Sequence, residues 1–217
     1  MSYAQRKRTR ALWPVLIAAG ALALFLVYPK QDKHRAIAGI PDPVQEKAQG
    51  SVEKQYENFR ATFEFQYSYD IRALVVSTKD YSGTSVNSQL APRDLALAWG
   101  SVAAHNDTTD FHWQQSGRFY SWRLSSYAEL APFGSEDEVN RHSANNHVIP
   151  ADEEIAKKLK KIRVGDYIRL KGYLVNITAK RDDGADYYWN SSTTREDTGD
   201  GACEVIYVTE VSWPDQG

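Results

Sequence analysis

Two polar segments hold the residues whose types and spacing suit chemistry. The first is Arg141-His142-Ser143-Ala144-Asn145-Asn146-His147-Val148-Ile149-Pro150-Ala151, which places two imidazoles among amides and a hydroxyl. The second runs from Ser191 to Glu204 and contains the single cysteine, Cys203. A cysteine nucleophile needs a histidine to form thiolate and a third group to orient that histidine. His147 with Asp197 or Asn145 supplies such a set on paper, so Cys203, His147 and Asp197 are the candidate catalytic residues. Against this, Cys203 opens an expected strand, whereas activated cysteines often sit at helix N-termini, and a lone cysteine is more often a small buried residue.

Other chemistries fit less well. Asp197-Thr198-Gly199 is the aspartic-protease triplet, but it follows Thr194-Arg195-Glu196 instead of an apolar strand. The acidic groups at Asp182, Asp183 and Asp186 and at Asp197 and Asp200 lack the spaced ligands and closing glutamate of a calcium loop, and read as solvated turns. One cysteine and no histidine pair at helical ligand spacing argue against zinc. The expectation is therefore no metal and no cofactor.

Aromatic residues beside arginine make a third candidate. Trp99, Trp113, Trp122 and Trp189 accompany Arg118, Arg123 and many tyrosines. Such pairs build platforms for peptides, glycans or proteins, and they also build cores in domains without disulfides. Trp99 and Trp122 read as core. Trp113, Arg118 and Trp189 are the candidate binding residues.

The elements that must position these groups follow from periodicity. Phe63, Phe65, Tyr67, Tyr69 and Ile71 alternate as a strand with one aromatic face, and Ala73–Ser77 continues it as a buried strand. Val52–Phe59 and Pro92–Trp99 read as short helices, the latter with Pro92 in its first turn and Gly100 ending it. Asp152–Lys161 is the clearest helix, acidic first and basic last, with Ile155, Leu159 and Ile162 as its apolar stripe. After Gly165-Asp166, Tyr167–Val175 alternates strongly. Residues 180–202 form a polar loop, and Cys203–Trp213 is a final strand. Segment 141–151 reads as a loop before a helix.

The remaining signal is at the N-terminus. Ala11–Tyr28 carries no charge and spans 18 residues, near the lower limit for a membrane-crossing helix. Arg6, Lys7, Arg8 and Arg10 precede it, which favours a cytoplasmic N-terminus and an exported C-terminal part. The expected order is a cytoplasmic N-terminus over 1–10, a transmembrane helix over 11–28 lodged in the lipid bilayer, a linker over 29–50 and an extracytoplasmic domain over 51–217. Ala36-Ile37-Ala38 offers a small-x-small cleavage pattern but follows a charged stretch, so an uncleaved signal anchor is preferred. Four of the 26 basic residues precede the apolar run and no acidic ones do, so the exported part carries 22 basic and 28 acidic residues, a formal charge of −6. That balance argues against nucleic acid as a partner.

The phrases Asp94–Gly100, Ser116–Trp122, Asn146–Ala151 and Asp197–Glu204 together resemble a family of uncharacterised bacterial proteins with one N-terminal membrane segment. That resemblance implies an extracytoplasmic domain and no particular activity. Tyr167–Val175 after Gly165-Asp166 is similar to the opening strand of small OB-like barrels. The fold class expected is α+β: a transmembrane helix, then a β-rich, mainly antiparallel domain with a few short helices. The function expected is a membrane-anchored binding or scaffold domain of the bacterial envelope that contacts another envelope protein. The alternatives are a tethered hydrolase using Cys203 and His147, and a glycan- or lipid-binding domain using Trp113 or Trp189.

Overall fold

The computed structural model describes residues 33–194 and 202–214. The alternating aromatics that begin at Phe63 belong to one very long strand. β1 (Val44–Lys47) and β2 (Ser51–Gln55) pair antiparallel with this 22-residue β3 (Phe59–Asp80). A short helix α1 (Val86–Leu90) leads to β4 (Arg93–Ala98), and α2 (Gly100–Ala104) follows it. The hairpin β5 (Gln114–Ser116) and β6 (Phe119–Ser121), a 3-10 turn at Tyr127–Leu130 and α3 (Glu136–Arg141) come next. β7 (Ser143–Pro150), α4 (Glu153–Lys161), β8 (Tyr167–Arg181), β9 (Asp186–Asn190) and β10 (Glu204–Ser212) complete the chain.

Five of these strands close on themselves. β3 pairs with β4, β4 with β7, β7 with β10, β10 with β8, and β8 returns to β3. Every ladder among the described residues is antiparallel except β7 with β10. Closure requires strong bending, and β-bulges interrupt the ladders at Phe65/Tyr67, Val75/Ser77 and Val208/Glu210. Gly172 is a further requirement: a Cβ there would lie 2.0 Å from the Tyr207 carbonyl oxygen, so only glycine lets β8 approach β10 this closely.

The register places Ile71, Ala73, Leu95, Leu97, Val148, Ile206, Val208, Leu170 and Leu174 on one face, where they form the main core. Helix α4 contributes Ile155 and Leu159, and Ile162 follows, all buried in that core. Asp152 caps its first turn by accepting from the Ile155 N–H at 2.9 Å. Its last carbonyls are met by a buried arginine. The Arg93 guanidinium donates to the carbonyls of Leu159, Lys160 and Ile162 at 2.9–3.0 Å.

Several expectations are corrected here. The α+β class is replaced by a mostly β fold, with 46% of the described residues in strands and 17% in helices. Pro92–Trp99 is a strand, not a helix: β4 lies between β3 and β7 and is buried on both faces, which removes the alternation that would have marked it. Ser51–Gln55 is likewise an edge strand where a helix was expected, and Ser143–Pro150 is a buried strand instead of a loop. No helix among the described residues is long and apolar enough to cross a membrane. The longest has nine residues, about 14 Å against the roughly 30 Å of a hydrocarbon core. The transmembrane, single-pass and signal-anchor readings are corrected on that finding, and the run 11–28 on which they rested lies outside the described residues.

Candidate functional site

β4 and β7 present their other face to the insertion between them. Across this ladder Asp94 stands opposite His147, Ala96 opposite Asn145 and Ala98 opposite Ser143. Alternation puts all six side chains on one face, opposite to that of Leu95, Leu97 and Val148. Hairpin β5–β6 lies over it. Ser116 pairs with Phe119, which leaves Gly117-Arg118 as a two-residue turn with φ of 58° and 77°. Both values are positive, as in the type I′ turns that suit hairpin twist. Arginine is an unusual choice at the second position, where glycine or asparagine adopts the conformation with less strain.

The turn delivers Arg118 into a slot. Its NH1 donates to Asp94 Oδ1 and to the Ala91 carbonyl, each at 2.8 Å, and its NH2 donates to the Asn87 carbonyl at 2.9 Å. The guanidinium lies over the Tyr81 ring at 3.6 Å, with the Trp189 ring at 5.7 Å. The Tyr81 hydroxyl accepts from the Arg118 backbone N–H at 3.1 Å. Burial, then the Asp94 charge, pushes the Tyr81 phenol up to about 12. The Asn87 and Ala91 carbonyls belong to the end of α1, where carbonyl dipoles attract a cation, and the Asn87 carbonyl also accepts from the Ala91 N–H at 3.0 Å.

Asp94 has no solvent exposure and also faces His147, whose Nδ1 is 2.9 Å from the same Oδ1. With the carboxylate oxygen as acceptor, the Nδ1 position carries the proton. The Trp189 ring lies 4.8 Å from the imidazole. Two residues back on β7, the Asn145 amide ties the hairpin down. Its Nδ2 donates to the Arg118 carbonyl at 2.8 Å, and its Oδ1 accepts from Gln115 Nε2 at 2.7 Å. The Tyr120 hydroxyl reaches the Ser143 carbonyl at 3.1 Å.

The two polar segments singled out in the sequence do meet. The Ser191 hydroxyl accepts from the Val205 N–H, and the Ser192 N–H donates to the Cys203 carbonyl, which ties the end of β9 to the start of β10. Cys203 Sγ then sits 3.6 Å from Asn145 Nδ2 and 3.9 Å from the Arg118 carbonyl oxygen. Cys203 and His147 are thus engaged by different partners, with Asn145 beside the thiol and Asp94 beside the imidazole. Asp197 lies outside the described residues. Of the binding candidates, Arg118 and Trp189 share the slot. Trp113 packs instead at the hairpin base, 4.8 Å from the Phe111 ring, and its Nε1 donates to Asn106 Oδ1. Trp99 is wholly buried.

Sequence reasoning missed Asp94 and Tyr81 as site residues. Asp94 carries a readable signal, since with Arg93 it places two charges immediately before the apolar run Leu95–Trp99. Tyr81 has no such signal, because only the bend of β3 into α1 brings it to the slot. Among the described residues no group of three or more His, Cys, Asp or Glu stands close enough to hold a metal ion. Comparison with protein-family models, curated proteins and solved structures finds no match to this chain.

Proposed function

We propose that this chain is a binding domain of the bacterial envelope that engages a protein partner at the β5–β6 hairpin covering the outer face of β4 and β7. The observation that carries this reading is the convergence of Tyr81, Asp94, Arg118, His147 and Trp189 from five separate segments onto that face. A further support is the barrel's connectivity. In chain order the strands are β3, β4, β7, β8 and β10, the third runs parallel to the fifth, and a helix joins the third to the fourth. We read this arrangement as OB-like. OB barrels use the face of their second and third strands, with the loops after the first and fourth, as a ligand surface. Among the described residues those are the β4–β7 face, segment 81–92 and segments 182–194 and 202–203. The excess of acid over base after residue 28 favours a protein over a nucleic acid as occupant.

The test is site-directed photocrosslinking in intact cells. A photoreactive residue at Phe119, an aromatic 48% exposed on β6 beside Arg118, is expected to trap a reproducible partner. The same probe at Tyr127, on a separate exposed turn, is expected to trap it poorly. Equal yields at both positions, or no product from either, would sink the reading.

A further inference from the structure

The slot that holds Arg118 is shaped for a guanidinium. It offers a carboxylate oxygen, two carbonyl oxygens and the face of a phenol ring, all around one planar cation. A fork of N–H donors meets acceptors in several directions at once, which the compact ammonium of lysine does not do. Asp94 Oδ2 makes no hydrogen bond among the described residues, so the carboxylate has acceptor capacity left for a second donor.

Arg118 itself is attached in a way that permits exchange. β5 and β6 form their own two-stranded sheet and share no ladder with the barrel. The hairpin meets the β7 face through the side-chain bonds of Gln115, Asn145 and Tyr120. Apolar packing is confined to the base, where Trp113 lies against Phe111 and Tyr120. The residue in the slot also sits at positive φ, and strained non-glycine positions gather at clamps and switches. Lifting the tip therefore breaks no barrel ladder. Phe119, next to Arg118, stands exposed.

We propose that the slot formed by Asn87, Ala91, Asp94, Tyr81 and Trp189 is a recognition site for an arginine side chain of the partner polypeptide, and that Arg118 fills it in cis. This rests on the binding-domain reading and adds the chemistry of the partner. The hairpin is the closed state, and an arginine from the partner replaces Arg118 as the tip lifts. Because the slot is already filled, the wild-type chain binds a free arginine ligand with an affinity reduced by the fraction of molecules that are open.

The experiment uses the full chain and two probes, N-acetyl-arginine methylamide and its lysine counterpart. Arg118→Ala is expected to bind the arginine probe at least about tenfold more tightly than wild type does, and the lysine probe much less. Adding Asp94→Asn should remove that gain. A folded Arg118→Ala chain that prefers neither probe overturns the proposal. If that variant does not fold, Arg118→Lys keeps the stem and charge, and hydrogen exchange over residues 114–121 is read instead. Faster exchange with the arginine probe than with the lysine probe supports the proposal, and equal exchange overturns it. Crosslinked partner that arginine peptide does not displace leaves the binding domain standing and removes the arginine site. Arginine binding without any crosslinked partner does the reverse.

Discussion

Asp94 and His147 stand directly opposite each other across the β4–β7 ladder, with Oδ1 and Nδ1 2.9 Å apart. The same oxygen receives the Arg118 guanidinium at 2.8 Å. One buried carboxylate thus organises both the imidazole and the arginine, and both depend on it.

Removing that carboxylate should be expensive. The Asp94 side chain has no exposure and that of Arg118 has 14%, so Asp94→Ala leaves a cation without its charge partner in a poorly hydrated slot. Breaking one side of a buried pair costs about 3–5 kcal/mol. Urea unfolding should show a midpoint lowered accordingly, and a loss under about 1 kcal/mol would mean that water reaches the slot.

Gly172→Ala should be far more damaging than Gly184→Ala. The added methyl would meet the Tyr207 carbonyl at 2.0 Å, whereas nothing lies within 4 Å of a Cβ at Gly184, and only its φ of 85° opposes the change. The turn variant is expected to lose about 1–2 kcal/mol. The barrel variant must displace backbone between β8 and β10, and should lose more than about 3 kcal/mol. Thermal melts of the two purified variants make the comparison.

Arg93→Met keeps the side chain's apolar stem and deletes its head. The carbonyls at the end of α4 then lose three donated bonds, and hydrogen bonds to a charged group are worth about 1.5–3 kcal/mol each when isolated. The three act together, so a total loss of about 2–4 kcal/mol is expected. Hydrogen exchange should locate it at Leu159–Ile162, and an unchanged rate there would count against the capping role.

Stability should fall at alkaline pH. Burial raises the phenols of Tyr56, Tyr81 and Tyr187 to about 12 from an ordinary 10.0. The unfolded chain therefore releases these protons first. Their contribution is complete below about pH 10 and is lost as pH rises toward about 12. Phenolate absorbance should show a late group of tyrosines whose ionisation coincides with unfolding, and Tyr81→Phe should shrink that group.

Local pattern carried much of the strand content. Tyr67 to Ile71 and Tyr167 to Leu174 alternate because one face of each meets the main core, while the bulge at Phe65/Tyr67 turns Phe63 and Phe65 into a second cluster, and helix α4 announces itself by its cap, charge order and stripe. Arg93–Ala98 and Ser143–Pro150 were illegible for the opposite reason. Each is buried on both faces, and their polar members, Asp94, Asn145 and His147, are satisfied by groups far away in the chain. A polar run such as Ser143–His147 looks like a loop until its partners are known.

The sequence by itself determined the acidic balance, the lone thiol, the long aromatic strand, the capped helix and the candidacy of Arg118, His147 and Trp189, because these depend on composition and short-range periodicity. Only the tertiary structure decided which candidates meet. Closing β3 against β8 brings β4, β7 and β10 into one ring, folds the β5–β6 hairpin across it and sets Arg118 between Asp94 and Tyr81. It also sets Trp189 beside His147, Trp113 beside Phe111 and Cys203 beside Asn145. Those pairings are products of long-range strand register, and no local spacing encodes them.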